Sequence, residues 1–252
     1  MKKKFTLIIV RHGEGFHQLP HTKDDLEFTD ELHLKTINSA LTEKGLMQAS
    51  RVADRFKNME FDLAISSDLK RARQTAEAIM YKNASITNLK IWRIVRERCL
   101  GDIAGNGLEL FTTTVEDAVP DRDYLTWKPP NGESVVDLRH RVVEFLQEIQ
   151  KEAMAISVDS PVILVSSHGL FMKELYRVLS TSEAGRTLPR NRPRYQNTGF
   201  AQYDFITSLN ENSENVLEEV NCSILSCANH LENYDPEYLS RRGGCHGHKE
   251  KD

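Results

Sequence analysis

A chain of 252 residues, with 33 Lys and Arg against 37 Asp and Glu and a formal net charge of −4, has the length for one large α/β domain or two small ones. The balance of charge excludes a general affinity for nucleic acid, so any anion site must be built locally. The basic start Met1-Lys2-Lys3-Lys4 leads into an apolar run too short for a leader or a membrane span and interrupted at once by His12, Glu14 and His17, which predicts a cytoplasmic protein without membrane contact.

Phe5 to Val10 reads as a buried strand that ends abruptly in Arg11-His12-Gly13-Glu14. Ligands of open α/β sheets bind outside the carboxyl ends of strands, where Arg11 and His12 stand. Arg offers a permanent cationic fork for phosphate or carboxylate, His a charge set near neutrality, and Gly13 room for close backbone approach to a ligand. The polar stretch from Gly15 to Ala40 has no clean period and is expected to wall a pocket. Its histidines, His17, His21 and His33, share no helical or strand spacing and are read as solvated loop residues, not metal ligands.

Thr42 can cap a helix whose apolar side is Leu46, Ala49, Val52, Ala53 and Phe56. Phe61 to Ser66 is a second strand, and the helix after it carries Leu69, Ala72, Ala76, Ile79 and Met80, with Ser67 or Asp68 as cap. Arg71 falls in its first turn, where free N–H groups and the helix dipole already favour anions. Leu89 to Val95 reads as a third strand ending in Arg96-Glu97-Arg98. Like charge from a bound phosphate would raise the Glu97 carboxyl, which makes it a candidate general acid.

A short helix is expected near Thr114 to Ala118, then a turn-rich approach from Trp127 to Glu133 and the longest helix, capped by Ser134 and Asp137, with Val135, Leu138, Val142, Phe145 or Leu146, and Ile149 inward and His140 exposed. Pro161 to Val165 is nearly continuous in apolar residues, as a strand buried on both faces requires. It delivers His168-Gly169 to the start of another helix, repeating the N-terminal arrangement. Asn197 to Phe205 and Val216 to Ile224 read as a strand and an edge strand. Residues 1–232 form one domain in this reading. The tail 233–252, where Arg241 to Lys249 has no packable face, is expected to be disordered. The four cysteines, Cys99, Cys222, Cys227 and Cys245, fall at no metal-like or CxxC spacing and are read as reduced thiols.

Arg11-His12-Gly13-Glu14, Leu41-Thr42-Glu43-Lys44-Gly45, Ser66-Ser67-Asp68-Leu69-Lys70-Arg71-Ala72, Arg96-Glu97-Arg98, Pro129-Pro130-Asn131-Gly132-Glu133-Ser134, Ser167-His168-Gly169 and Asn197-Thr198-Gly199 occur in this order. Across roughly residues 5 to 206 the chain thereby resembles the histidine phosphatase (phosphoglycerate mutase-like) superfamily, and within it the TIGAR-type fructose-2,6-bisphosphatases. The resemblance implies an α/β three-layer sandwich, a mostly parallel central sheet with helices on both faces. It implies that His12 attacks phosphorus and carries a phosphohistidine. Arg11, Arg71 and His168 would bind the phosphoryl oxygens beside Gly169, and Glu97 would protonate the leaving alkoxide and then activate water. No metal or cofactor is required, because two arginines, a histidine and a helix N-terminus supply the positive charge.

The expected substrate is a small phosphorylated metabolite, with fructose 2,6-bisphosphate first, 2,3-bisphosphoglycerate or a broad range of esters next, and a catalytically silent phosphate-binding scaffold as the reading from another class. Gly15, Gln18, Leu100 and Ala104 depart from the family pattern, which bears on how the rest of the substrate is held and favours plain phosphatase over mutase chemistry. Arg96, Arg98, Lys128 and Arg194 are candidates for a second phosphate, and equally for surface ion pairs. Oligomeric state is not encoded in any motif.

Overall fold

The computed structural model describes residues 2–19, 38–103, 124–190 and 193–232. The predicted helix at 114–118, His21, His33, Ala104 and the tail 233–252 lie outside the described residues, as does most of the 15–40 stretch.

Six strands form one sheet in the order β3-β2-β4-β1-β5-β6. They are β1 (Lys2–Arg11), β2 (Leu63–Ser66), β3 (Leu89–Ile91), β4 (Val162–Ser167), β5 (Phe200–Leu209) and β6 (Asn215–Cys227). The first four are mutually parallel, and β5 and β6 continue the sheet antiparallel from the other edge of β1. This is the mostly parallel α/β sandwich that the family resemblance implied.

Alternation along β1 divides its side chains between two cores. Leu7 and Ile9 join Ile163 and Val165 of β4 on one face, packed against α3 (Val135–Ala155) and α4 (Gly169–Thr181) through Leu138, Val142, Phe145, Phe171 and Leu175. Ile8 and Val10 join Leu164 on the other, packed against α1 (Glu43–Phe56) and α2 (Lys70–Lys82) through Val52, Ala53, Phe56 and Ile79. Burial on both faces accounts for the unbroken apolar runs of β1 and β4. Thr42 and Ser134 cap α1 and α3 as expected, Ser134 with Asp137 in a reciprocal capping box. Leu46, assigned to the apolar side of α1, is instead half exposed, and Gln48 takes the inward place.

The third strand is shorter than predicted. After Trp92 donates its N–H to Ser66 the chain leaves the sheet in a 3-10 turn, Arg93–Val95. Val95 is fully buried and its carbonyl accepts from Ser167 Oγ at 2.7 Å, so the apolar end of the run closes the sheet's carboxyl edge rather than extending a strand. That turn aims the following Arg96-Glu97-Arg98 across the ends of β2 and β4.

The cysteine reading holds in part. Cys99 and Cys222 are free thiols, but Cys227 at the end of β6 is disulfide-bonded, which no sequence spacing reveals.

Candidate active site

The in-register pairing of β1 with β4 sets Arg11 opposite Ser167, so the residues that follow each strand, His12 and His168, emerge side by side. Their ring centroids are 5.1 Å apart and both are almost fully buried. The His12 backbone is fixed from two sides. Its N–H donates to Ser167 O at 3.0 Å, and its carbonyl accepts from Thr198 N–H and Asn197 Nδ2, each at 3.2 Å. Thr198 holds a φ of +56° to do this, a conformation that a β-branched residue adopts only under constraint.

Two contacts determine the state of the His12 ring. Nδ1 lies 2.6 Å from Gly13 O, which can only accept, so Nδ1 carries the proton. Nε2 lies 3.3 Å from Arg71 Nε–H, which can only donate, so Nε2 presents its lone pair. Burial, reinforced by Arg71, His168, Arg11 and His17, holds the ring well below the ordinary histidine range. His12 is therefore a neutral imidazole with an available Nε2.

Arg71 reaches the site from the first turn of α2, and burial brings its guanidinium down to about 10, Glu97 opposing the shift, which leaves it charged at neutral pH. Arg11 is anchored through Nη1 to Tyr195 O at 2.7 Å, and a Cβ on Gly169 would stand 3.3 Å from its Nε. His168 donates or accepts at Ser67 Oγ through Nε2 at 3.0 Å, while its Nδ1 is buried with no hydrogen-bond partner among the described residues. Burial and then Arg71 push His168 below its usual range as well. Glu97 accepts from the N–H of Leu170 at 3.2 Å in the first turn of α4, so this carboxylate occupies part of the helix N-terminus expected to serve a bound anion. Arg11, His12, Arg71, Glu97, His168 and Gly169 thus converge.

Gly13 has a different task from the one its position suggested. A Cβ there would meet Gly45 O at 2.5 Å, and one on Gly45 would meet Glu14 O at 2.0 Å. The pair lets the start of α1 close against the end of β1, where Thr42 takes Glu14 through both backbone and side chain. Gly13 N–H also donates to Thr75 Oγ1 at 3.1 Å.

His17 is no solvated loop histidine. Its ring lies 5.5 Å from that of His12, Nδ1 sits 2.7 Å from Ser39 Oγ, and burial with Arg71 and Arg11 lowers it to about 3. The room for it comes from Gly15, since a Cβ there would strike His17 Nδ1 at 2.7 Å. The departure at residue 15 and this third imidazole are one feature.

Of the second-phosphate candidates, Arg96 is held in a two-pronged pair with Asp68, at 2.6 and 2.5 Å. Arg98 is buried, donates to Glu133 O and Trp127 O and lies over the rings of Tyr124 and Trp127, which makes it a structural tie rather than an open anion ligand. Lys128 lies 3.2 Å from Asp137, and Arg194 is exposed. Arg141 escaped the sequence reading because it belongs to a helix read only for its apolar stripe. From α3 it grips both oxygens of Glu133 at 2.9 and 2.7 Å and the carbonyls of Ile94, Arg96 and Glu97, fixing the loop that bears Glu97.

A profile of the histidine phosphatase superfamily (branch 1) matches residues 7–207, a span that contains every one of the converging residues. The chain belongs to this superfamily. Among its curated relatives, the fructose-2,6-bisphosphatase TIGAR of Xenopus tropicalis is 35% identical over 149 residues, covering 57% of this chain and 49% of the relative. The chain therefore spans about half the length of that protein. The 2,3-bisphosphoglycerate-dependent phosphoglycerate mutase of Bartonella henselae is 30% identical over 187 residues, 69% of this chain and 81% of the relative. In fold, the crystal structure of phosphoglycerate mutase from Bacillus anthracis str. Sterne superposes with a TM-score of 0.64 at 19% identity, covering 92% of this chain and 96% of that one. That solved phosphoglycerate mutase thus shares the fold. Among the described residues, no helix is long and apolar enough to cross a membrane.

Proposed function

We propose that this histidine phosphatase is a phosphoric monoester hydrolase that works through a phosphohistidine on small phosphorylated metabolites in the cytoplasm. The observation that carries the reading is the His12 ring, neutral, proton on Nδ1, lone pair on Nε2 beside Arg71.

In this mechanism Nε2 attacks phosphorus while the bond to the leaving oxygen breaks, and Glu97 gives that oxygen its proton. Water then attacks the phosphohistidine, its proton passes to Glu97, the N–P bond breaks and inorganic phosphate leaves. Arg11 and Arg71 oppose the charge on the phosphoryl oxygens, and the partnerless Nδ1 of the buried His168 is a polar group that a phosphoryl oxygen would satisfy. Side-chain cations replace a metal in this scheme, so EDTA leaves turnover unchanged.

Fructose 2,6-bisphosphate, cleaved at the 2-phosphate, is the preferred substrate in our reading, supported by the identity to TIGAR proteins, and a role in controlling glycolysis follows from it. The similarity to phosphoglycerate mutases supports 2,3-bisphosphoglycerate as the second choice. Phosphate release with EDTA present is measured from these two, phosphoenolpyruvate and a chromogenic ester, with His12→Ala as control. Strong preference for fructose 2,6-bisphosphate is expected. Equal slow rates on all four would overturn the substrate assignment, and substantial turnover by His12→Ala would overturn the mechanism.

A further inference from the structure

Beside the catalytic residues a cleft of about 760 Å³ runs along the outer side of α4, within the size range of metabolite sites. Leu170, Lys173, Arg177 and Thr181 line it from the helix, and Arg190 and Arg194 line it from the chain that follows. The helical residues recur at steps of three and four, so they share one face. Lys173 and Arg177 stand one and two turns beyond Gly169, about 6 and 12 Å along the axis at 1.5 Å per residue.

Two features mark this cleft as a built anion site. All four cations are exposed, and among the described residues none of them has an ion-pair partner. The one carboxylate in the lining, Glu174, is already held by Arg139 at 2.5 Å. The net charge of the chain is negative, so this concentration of unpaired positive charge is local. Two residues of its lining also adjoin the catalytic centre. Leu170 gives its N–H to Glu97, and Arg194 precedes Tyr195, whose carbonyl anchors Arg11.

We infer that Lys173, Arg177, Arg190 and Arg194 bind the distal anionic groups of an elongated polyanion whose terminal phosphoryl group sits at His12. The inference rests on the phosphatase reading and assigns its specificity. The ligand class is one with two or more phosphate or carboxylate groups separated by about 6–12 Å, the span of the cations along α4. This replaces Arg96 and Arg98, which the fold engages, as the origin of grip on a second anion.

The probe is inorganic tetrapolyphosphate, tested as an inhibitor of p-nitrophenyl phosphate hydrolysis by the full chain and by Arg177→Gln/Arg190→Gln, both sites being exposed and without an ion-pair partner among the described residues. Competitive inhibition is expected, with the ratio of its inhibition constant to the KM of the ester rising about tenfold in the variant, as the loss of two partly screened charge-assisted contacts implies. An unchanged ratio, or inhibition that is not competitive, would overturn the assignment. If the full chain does not hydrolyse the ester, the phosphatase reading fails by itself, and calorimetric binding of tetrapolyphosphate still decides the cleft. Weaker binding by the variant supports it and equal binding refutes it.

Discussion

Replacing Arg141 by lysine keeps a charge on α3 but removes the planar fork. In the native protein that fork serves five acceptors, of which Glu97 O, at 3.2 Å, is the most distant. An ammonium has three donors at a single point, so the pair with Glu133 persists in part and the Glu97 carbonyl is released first. The side chains of Arg141 and Glu133 are only 16% and 24% exposed, so the lost contacts are not those of a loose surface pair. The expected cost is about 2–3 kcal/mol, a fall in Tm of about 4–12 °C for a domain of this size. The catalytic effect is separable from it. Displacing a reacting group by about 1 Å costs on the order of 10²-fold, and general-acid help is worth about 10²–10⁴-fold in total. We therefore expect kcat on an alkyl phosphate to fall by about 10- to 100-fold. On p-nitrophenyl phosphate, whose leaving group barely needs the proton, the loss stays within about threefold. Glu97→Gln, measured on the same two esters, calibrates the full loss. Because Arg141 acts through Glu97, the double variant is no slower on the alkyl ester than Glu97→Gln alone. Equal losses on both esters, or additive losses in the double variant, would refute this positioning role.

Gly45→Ala tests the closure of α1 on β1. Alanine gains up to about 1 kcal/mol of helix propensity, yet its Cβ would lie 2.0 Å from a backbone carbonyl, so Tm falls, and a rise would contradict the packing. Gly15→Thr should destabilise by about 1–3 kcal/mol through overpacking against His17. In a His17→Ala background the same change should cost less, the remainder coming from Ser39 Oγ, 3.2 Å from the added Cβ, and an equal cost in both backgrounds would uncouple the two residues. Acid stability reports the buried histidines. His17 falls to about 3 and His230 to about 4, while His12 and His168 are also depressed, so the unfolded chain takes up protons that the native one refuses. Stability then declines as pH drops below about 6.5, by up to about 1.4 kcal/mol per pH unit for each histidine, and denaturant melts between pH 7 and 4 with no such decline would contradict their burial.

Legibility from sequence tracked how local each determinant is. β1 and β4 announce themselves through continuous apolar runs, and their polar exits located His12 and His168 because parallel strands carry sites at their carboxyl ends. Arg71 was readable from its place in a helix's first turn. Contacts made across the fold were not. His17 sits in a stretch without periodicity, and only the missing Cβ of Gly15, 2.7 Å from its ring, reveals that it points inward. Arg141 shares a helix with an apolar stripe, and its polar role depends on a loop 44 residues earlier. The third strand ends earlier than its apolar run implies, because buried apolar residues look alike whether they extend a strand or plug the end of a sheet.

The electrostatics of the site make one further demand. Burial and the nearby guanidinium groups keep His12 and His168 neutral, so Arg11 and Arg71 hold the charge and the imidazoles hold the lone pairs. A dianion entering among them reverses the sign of its part of the field. It lies against the same rings, and opposite charge favours the protonated imidazole. His168, with a buried Nδ1 lacking a partner, is the ring placed to become a donor to the anion. Binding of tungstate, a dianion with no titrating proton near neutrality, should therefore take up protons from solution. Calorimetry at pH 6.5 in two buffers of different ionisation enthalpy measures this directly, the difference in apparent binding enthalpy giving the number of protons. His168→Asn should reduce the uptake while retaining binding through Arg11 and Arg71. Identical enthalpies in the two buffers would mean that the histidines stay neutral throughout, and that the arginines alone answer the charge of the phosphoryl group.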